Sequence, residues 1–452
     1  MKKLWQKQWT LNETIEAFET KDDLVLDDEL VIADVAGSLA HARGLVRIGF
    51  LTPQEFARAE KGLLNIVKLH NKGKFPLAAG DEDVHTKIET YLTDTCGSVG
   101  KKIHTGRSRN DQVLTALRLR GKQDLLTIWQ RSLELAQEFL KFAKTYEFMA
   151  MPGYTHMQKA MPASLGMWAG AFVESLLDDQ KTLQRAIEIL DQSPLGSAAG
   201  YGVPMALDRE FTAKLLGFAG VQNNSLYCQN GRGKIEAVVV AALVSLFQTL
   251  NKFATDVLLF TTREFGYFTV ADEMVTGSSI MPQKKNIDIA ELLRSKLHVM
   301  LNYYSTIVGI SSNLPLGYNR DLQDTKRPFL ESLRLAKDSL TVARILVSNI
   351  APNARSLTAA MSPEIFATHA AIARVKNGLS FRDAYRQVGA KQNDRAPTAS
   401  VLAQSTHIGG TGNLGLARLA DHLTRETVTY RKAQTQFRKT FKRLGMGQED
   451  EL

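Results

Sequence analysis

Cysteine is nearly absent. Cys96 and Cys228 are the only two in 452 residues, too few and too far apart for a disulfide framework. That excludes a stapled secreted scaffold and fits a reducing compartment, with both thiols as small, partly buried hydrophobes. Long apolar runs are missing as well. The most apolar stretch, Ala237–Phe247, is broken at Ser245 and soon followed by Gln248, Asn251 and Lys252, so it reads as a buried helix and is too short for a membrane span. The opening residues MKKLWQKQW hold lysines with no apolar run behind them, and no signal peptide is expected. A soluble, cytoplasmic protein is the expectation. Low-complexity tracts and internal repeats are lacking. Alternating strand patterns are scarce, and Phe268–Ala271 is too short to carry weight.

A concentrated charge of one sign is also missing, although the formal net charge is +9. The nearest approach to a basic cluster is Arg431, Lys432, Arg438, Lys439, Lys442 and Arg443, a spacing that suits the solvated face of a helix. The positive excess is read as a bias toward small anionic ligands. No nucleic-acid motif accompanies it, so neither nucleic acid nor membrane is an expected partner. With 44% hydrophobic and 23% charged residues, the chain is neither disordered nor fibrous and can bury a large core.

Helix signals fill the sequence. Thr10 and Glu13 have capping-box spacing, Thr52-Pro53-Gln54-Glu55 adds proline at a first helical position, and Ser362-Pro363 repeats the start signal. Between such starts, apolar residues recur every three or four positions over Val113–Tyr146, Ala163–Leu190, Lys234–Phe265, Ala290–Ser311 and Arg327–Ile350. These spans exceed the three or four turns usual in globular domains. Val238, Val239, Val240, Leu243, Val244, Leu246 and Phe247 leave little room for a polar side, so their helix belongs inside a bundle or between subunits. The fold class expected is all-α. It has a helical N-terminal domain (residues 1–108), a long central helical bundle (109–358) and a helical C-terminal domain (359–452), with a helical core shared in a homo-oligomer.

Four segments look wrong for plain connectors. KIHTGRSRNDQ (Lys102–Gln112) sets Arg107, Ser108, Arg109 and Asn110 just before a helix start, a donor set for carboxylate or phosphate, or equally a basic helix cap with solvated arginines. MPGYTHMQKAMP (Met151–Pro162) opens with a Pro-Gly turn and places Thr155, His156 and Gln158 on a helix start or loop. His156 could be an acid or base near neutral pH, or simply structural. No second histidine stands four residues away and no cysteine is near, so no metal is expected.

TGSSIMPQKKNIDIAE (Thr276–Glu291) joins a flexible Gly-Ser stretch, rich in backbone N–H groups, to Lys284 and Lys285 beside a helix start. That arrangement suits an anion whose charge grows during a reaction, or a surface hinge with solubilising lysines. LPLGYNRDLQDTK (Leu314–Lys326) gathers Tyr318, Asn319, Arg320, Gln323 and Lys326 behind a proline and a glycine. It is either a recognition loop or a polar interhelical turn.

Together these segments carry a resemblance. GSSIMPQKKN resembles the signature of the fumarase/aspartase superfamily, whose members eliminate fumarate from succinyl-containing substrates. HTGRSRNDQ, PGYTHMQ and the double lysine after MPQ are similar to the argininosuccinate lyase family within it. Supporting pieces are GSLAHARGL (Gly37–Leu45), EDVH (Glu82–His85), SPLGSAAG (Ser193–Gly200), LDRE (Leu207–Glu210) and YNRDLQ (Tyr318–Gln323), in family order over most of the chain.

The resemblance implies a homotetramer of three-domain helical chains, with each active site drawn from three subunits. It implies cleavage of argininosuccinate to arginine and fumarate in arginine biosynthesis, without a cofactor. Ser278 would be the general base and His156 the donor to the leaving nitrogen, with Glu291 behind it and Lys284 stabilising developing charge. Arg109, Asn110, Thr155 and Asn286, with Ser108 as a weaker candidate, would meet the carboxylate end. Tyr318, Gln323 and Lys326 would engage the substrate farther from the cleaved bond. The alternatives are a fumarate-releasing lyase for another N-substituted aspartate and an inactive, crystallin-like structural homologue. The chain departs from the family pattern at Leu4–Trp9 (LWQKQW for an LWGGRF-like start) and at Phe18–Asp23, where a serine is expected. It departs again at Asn224–Glu236, where Tyr227 and Gly233 replace aspartates, and at Ile287, which stands for proline. The N-terminal and Asn224–Glu236 departures fall where the amino-acid end of the substrate would be held.

Overall fold

The computed structural model describes residues 12–78, 80–389 and 398–447; the LWQKQW segment lies outside them. Among the described residues, five α-helices come first: α1 (Glu13–Leu26), α2 (Val31–Arg47), α3 (Pro53–Asn71), α4 (Val84–Cys96) and α5 (Ser98–Lys102). Helix α3 starts as its sequence dictates. Thr52 Oγ1 accepts from Glu55 N at 3.2 Å while Glu55 Oε2 accepts from Thr52 N at 2.9 Å, and Pro53 occupies the first turn, where no N–H is needed. Helix α1 differs from expectation. Its cap is Asn12, whose side chain accepts from Thr14 N at 2.9 Å; Thr10 lies outside the described residues.

The middle of the chain is a bundle. Helix α6 (Arg109–Thr145) runs 37 residues and packs on α7 (Leu165–Leu190). After two short helices, α8 (Arg209–Leu215) and α9 (Ser225–Asn230), come α10 (Lys234–Phe260), α11 (Asp288–Ser311) and α12 (Lys326–Ser348). Helix α10 lies against α7, α11 and α12, and α6 also meets α12. Phe139, Trp168, Phe172 and Phe253 interlock at the centre, with ring centroids of Phe139–Phe172 and Phe139–Phe253 at 5.0 Å. Gly233, at φ +80°, lets the start of α10 approach the end of α11. A Cβ there would stand 2.5 Å from Ser311 Cβ, which no side chain tolerates.

Helix α10 is longer than the apolar stretch inside it. At 27 residues and a mean hydropathy of 1.6 in its best window, it has the length and composition of a membrane span, yet 56% of that window is buried within the chain. The expectation that this segment is too short to span is therefore corrected. Its burial among three neighbours is what marks it as a bundle helix.

The last helices are α13 (Ala354–Ala360), α14 (Ala367–Lys376), α15 (Phe381–Gly389), α16 (Thr398–Leu402) and α17 (Leu416–Arg443), the last folding back on α6 and α7. Among the described residues, four small two-stranded pairs interrupt the helices. They are β1 (Ala150–Thr155) with β2 (Gln158–Ser164), β3 (Gln192–Ser193) with β4 (Gly220–Val221), β5 (Phe268–Val270) with β8 (Ile350–Pro352), and β6 (Thr276–Gly277) with β7 (Lys285–Asn286). All pairs are antiparallel except β3–β4. The short Phe268 segment thus does pair, tying the loop after α10 to the end of α12.

Candidate active site

Two ends of the bundle carry the chemistry-bearing residues. At the end where α6 and α10 begin and α12 emerges from its preceding loop lies a polar pocket of about 260 Å³. Ser108, Arg109, Asn110, Tyr318, Gln323 and Lys326 line it, so the structure brings together the HTGRSRND and YNRDLQ segments. Ser108 caps α6, accepting from Asn110 N at 3.2 Å. Asp111 reaches back to Ser108 N at 2.9 Å through one oxygen. Its other oxygen accepts from Gly196 N at 3.0 Å and Ala198 N at 2.9 Å. One buried carboxylate therefore welds the SPLGSAAG loop to the helix start beside the pocket. Burial pushes the Asp111 carboxyl up, more than these N–H donors and Arg107 draw it down.

Arg109 and Lys326 are already paired, which sequence reasoning missed. Arg109 meets Glu82 and Asp83, each at 3.0 Å. Lys326, only 2% exposed, sits between Asp23 at 2.6 Å and Asp27 at 2.5 Å. Burial alone would pull the Lys326 ammonium down, but the two carboxylates outweigh it and hold it above its ordinary range. Gln323 donates to the Glu19 carbonyl at 2.8 Å. Thr20, Asp23, Asp27, Glu82, Asp83, His85 and Arg232 complete most of the wall. The sequence signal for them was present in the acids at Asp22–Asp28 and in the EDVH segment, but spacing alone assigns such acids to a solvated face. His85 is buried and bonded through Nδ1 to Asp34. Burial works to lower it, and Asp34, Asp83 and Asp27 together raise it instead.

The remaining candidates lie elsewhere. Thr155, His156 and Gln158 are exposed and sit on the β1–β2 hairpin, not on a helix start. Thr155 pairs with Gln158 across a two-residue tip, and His156 and Met157 adopt φ +53° and +58°. Both central residues being left-handed matches the twist of a tight hairpin. The absence of glycine there hid the turn from the sequence. Left-handed φ at a histidine costs on the order of 1–3 kcal/mol, a strain common at functional sites. The hairpin packs on α13, α16 and the turn at residues 363–366, and Lys159 Nζ donates to the Ala360 carbonyl at 2.8 Å.

The loop after α10 is a second hairpin, closed by β6–β7 and by Thr276 Oγ1 donating to Asp288 at 2.6 Å. Ser278 lies at its start, and Ser278 Oγ accepts from Met281 N at 3.1 Å. Lys285 pairs with Asp272 at 2.6 Å. Asn286 is the Thr276 partner in β7, and Glu291 is exposed in the first turn of α11. Among the described residues, the side chains of His156, Lys284 and Glu291 make no hydrogen bond or ion pair.

Helix length separates these groups from the pocket. Arg109 begins α6, and the His156 hairpin starts five residues after α6 ends; 37 residues at 1.5 Å each place them about 55 Å apart along the helix. Arg232, in the pocket wall, precedes α10, and the Ser278 loop follows its far end, about 40 Å away by the same rise over 27 residues. No acid or base can reach across such spans within one chain.

Comparison with known proteins bears on what this arrangement does. A family profile described as a lyase matches residues 8–301. An argininosuccinate lyase of Thermotoga neapolitana is 43% identical over 389 residues, covering 86% of this chain and 98% of that protein. One of Phocaeicola vulgatus is 42% identical over 426 residues, 94% and 95% of the two chains. Among solved structures, an EDDS lyase in complex with formate superposes with a TM-score of 0.80 at 21% identity, over 97% of this chain and 95% of that one. A class II fumarase of Schistosoma mansoni gives 0.72 at 15% identity over 85% and 89%. At such identities the structural matches establish the fold alone.

Proposed function

The chain belongs to the argininosuccinate lyase family, and from that premise we propose that it cleaves argininosuccinate to arginine and fumarate by elimination. In this reading Ser278 removes the proton from the succinyl carbon beside a carboxylate. The electron pair left behind spreads into that carboxylate, where Lys284, Asn286 and the loop N–H groups stabilise the growing charge. Collapse forms the carbon–carbon double bond of fumarate and breaks the bond to the guanidino nitrogen. That nitrogen takes a proton from His156, which Glu291 orients. Arg109, Asn110 and Thr155 hold the carboxylates. Tyr318, Gln323 and Lys326 serve the arginine end, Lys326 acting through Asp23 and Asp27. No cofactor has a part in these steps.

The observation that carries this reading is the separation of pocket from base and acid. A pocket for a charged substrate stands at one end of the bundle, and its chemistry at the other. Both become useful if several copies pack their bundles side by side in opposite directions, so that one chain's hairpins meet another's pocket. A homotetramer with active sites built from three chains is the assembly proposed, and exposed Leu292, Leu301, Tyr304 and Val308 on α11 supply it with an apolar face. The three-domain division at residues 1–108, 109–358 and 359–452 is proposed with it. Purified protein given argininosuccinate, adenylosuccinate or a succinylated diamine, with fumarate followed by its ultraviolet absorbance, tests the reading. Fumarate from argininosuccinate is the expected result; release only from one of the others would overturn it.

A further inference from the structure

The hairpin that presents His156 is weakly held by its own backbone. Pro152 faces Pro162 across β1 and β2, and the register breaks between Pro152 and Tyr154. Neither proline has an N–H, so neither donates to the ladder at that rung. Beyond it the Tyr154–Lys159 and Thr155–Gln158 pairs join the strands before the left-handed tip. A two-stranded ribbon is marginal by itself, so side-chain anchors decide where the tip stands.

Tyr154 supplies the buried anchor. Its hydroxyl lies 2.5 Å from that of Tyr267, 113 positions later, and its ring packs on Phe265 at 5.7 Å. Tyr267 is a fixed post. It is 3% exposed, and its ring meets Phe260 and Phe265 at 5.5 and 5.3 Å. Its N–H donates to the Phe260 carbonyl at 2.9 Å, at the end of α10, and its carbonyl accepts from Asn353 N at 2.8 Å, at the start of α13. Burial, and then the bond to Tyr154, pushes the Tyr267 hydroxyl up, so it keeps its proton through neutral pH. The exposed Lys159 ammonium, bonded to the Ala360 carbonyl, can exchange that partner for water; a buried phenol pays to lose its own. Tyr267 also leads directly into β5, from which the chain runs on to the Ser278 loop.

We propose that Tyr154 and Tyr267 are positioning residues for the elimination, their hydroxyl bond holding the β1–β2 tip so that the His156 imidazole meets the leaving nitrogen. The inference rests on the elimination reading above, with His156 as the proton donor. It adds two residues that act only through His156.

Fumarate release by the wild type, Tyr154→Phe, Tyr267→Phe and the double variant tests this, each change removing one oxygen and leaving the ring to pack as before. Each single variant is expected to lose about 10-fold in kcat, with KM within about 2-fold of the wild type, the scale of one lost hydrogen bond. The double variant should be no slower than either single one, because the same bond is lost once. In a His156→Asn background, Tyr154→Phe should cost nothing further, whereas a general loosening of the fold would lower kcat again. A Tyr154→Phe loss that multiplies with the His156→Asn loss therefore overturns the proposal. So does a change confined to KM. A wild type that turns over while both Phe variants match it sinks the positioning role alone. A wild type that releases no fumarate from any of the three substrates above brings down the elimination reading, and the positioning role with it.

Discussion

The two ends of the bundle are built by opposite rules. At the pocket end, most charges are paired, and several of them are buried. Lys326 lies between two aspartates, Arg109 between two acids, His85 against Asp34, and Asp111 under three N–H groups. At the other end, His156, Lys284 and Glu291 are exposed and carry no side-chain partner among the described residues. A buried charge is costly unless the chain's own residues compensate it, which explains the pairing at that end. Groups that act only on a bound substrate do better left unpaired until another surface covers them. The contrast separates side chains that this chain has already paired from side chains that it leaves open.

The sharpest way to break that comparison is to remove the proposed base. Ser278→Ala should lower kcat by about 10³-fold, within the range for losing a general base, with the oligomer and arginine binding intact. His156→Asn should cost less, about 10²-fold, because water can protonate a leaving nitrogen. Equal losses in the two variants would sink that ordering. Next in size is complementation. Ser278→Ala mixed with Asn110→Ala, after subunit exchange verified by mass, should regain activity well above either parent, since some sites then receive both intact groups. Continued inactivity would mean that all groups come from one chain.

The smallest effect concerns stability. Burial, then Arg107, draws the His104 imidazole down to about 4, and the same causes hold His41 well below its ordinary value. The unfolded chain therefore binds more protons than the folded one between about pH 4 and 6.5, and stability falls as pH drops through that window. His85 works the other way. Its raised value contributes stability that is complete below the ordinary histidine range and is lost as pH rises through the folded value. Thermal melts from pH 7 to 5 should show a declining midpoint, with a shallower decline in His104→Gln. An unchanged slope in that variant would remove His104 from the account.

Much of this was legible beforehand. Five of the long helices follow from apolar spacing, and Thr52-Pro53 marks a start by local chemistry alone. The three shorter strand pairs were not legible, because two or three residues carry no period. The His156 hairpin hid because its left-handed positions are a histidine and a methionine instead of glycines. Thr10 looked like a cap, yet Asn12 is the residue that closes the first turn of α1.

The sequence by itself determined the helices, the family, and which residue types are available for an elimination, since these depend on neighbours three or four places apart and on motifs in order. Only the tertiary structure decided who pairs with whom. Lys326 meets Asp23 and Asp27 across some 300 positions, and no local rule relates residues that distant. It also decided that Ser278 and His156 stand a bundle's length from Arg109 and Arg232. Distance along a helix is set by a rise of about 1.5 Å per residue, and no folding of a single chain shortens it.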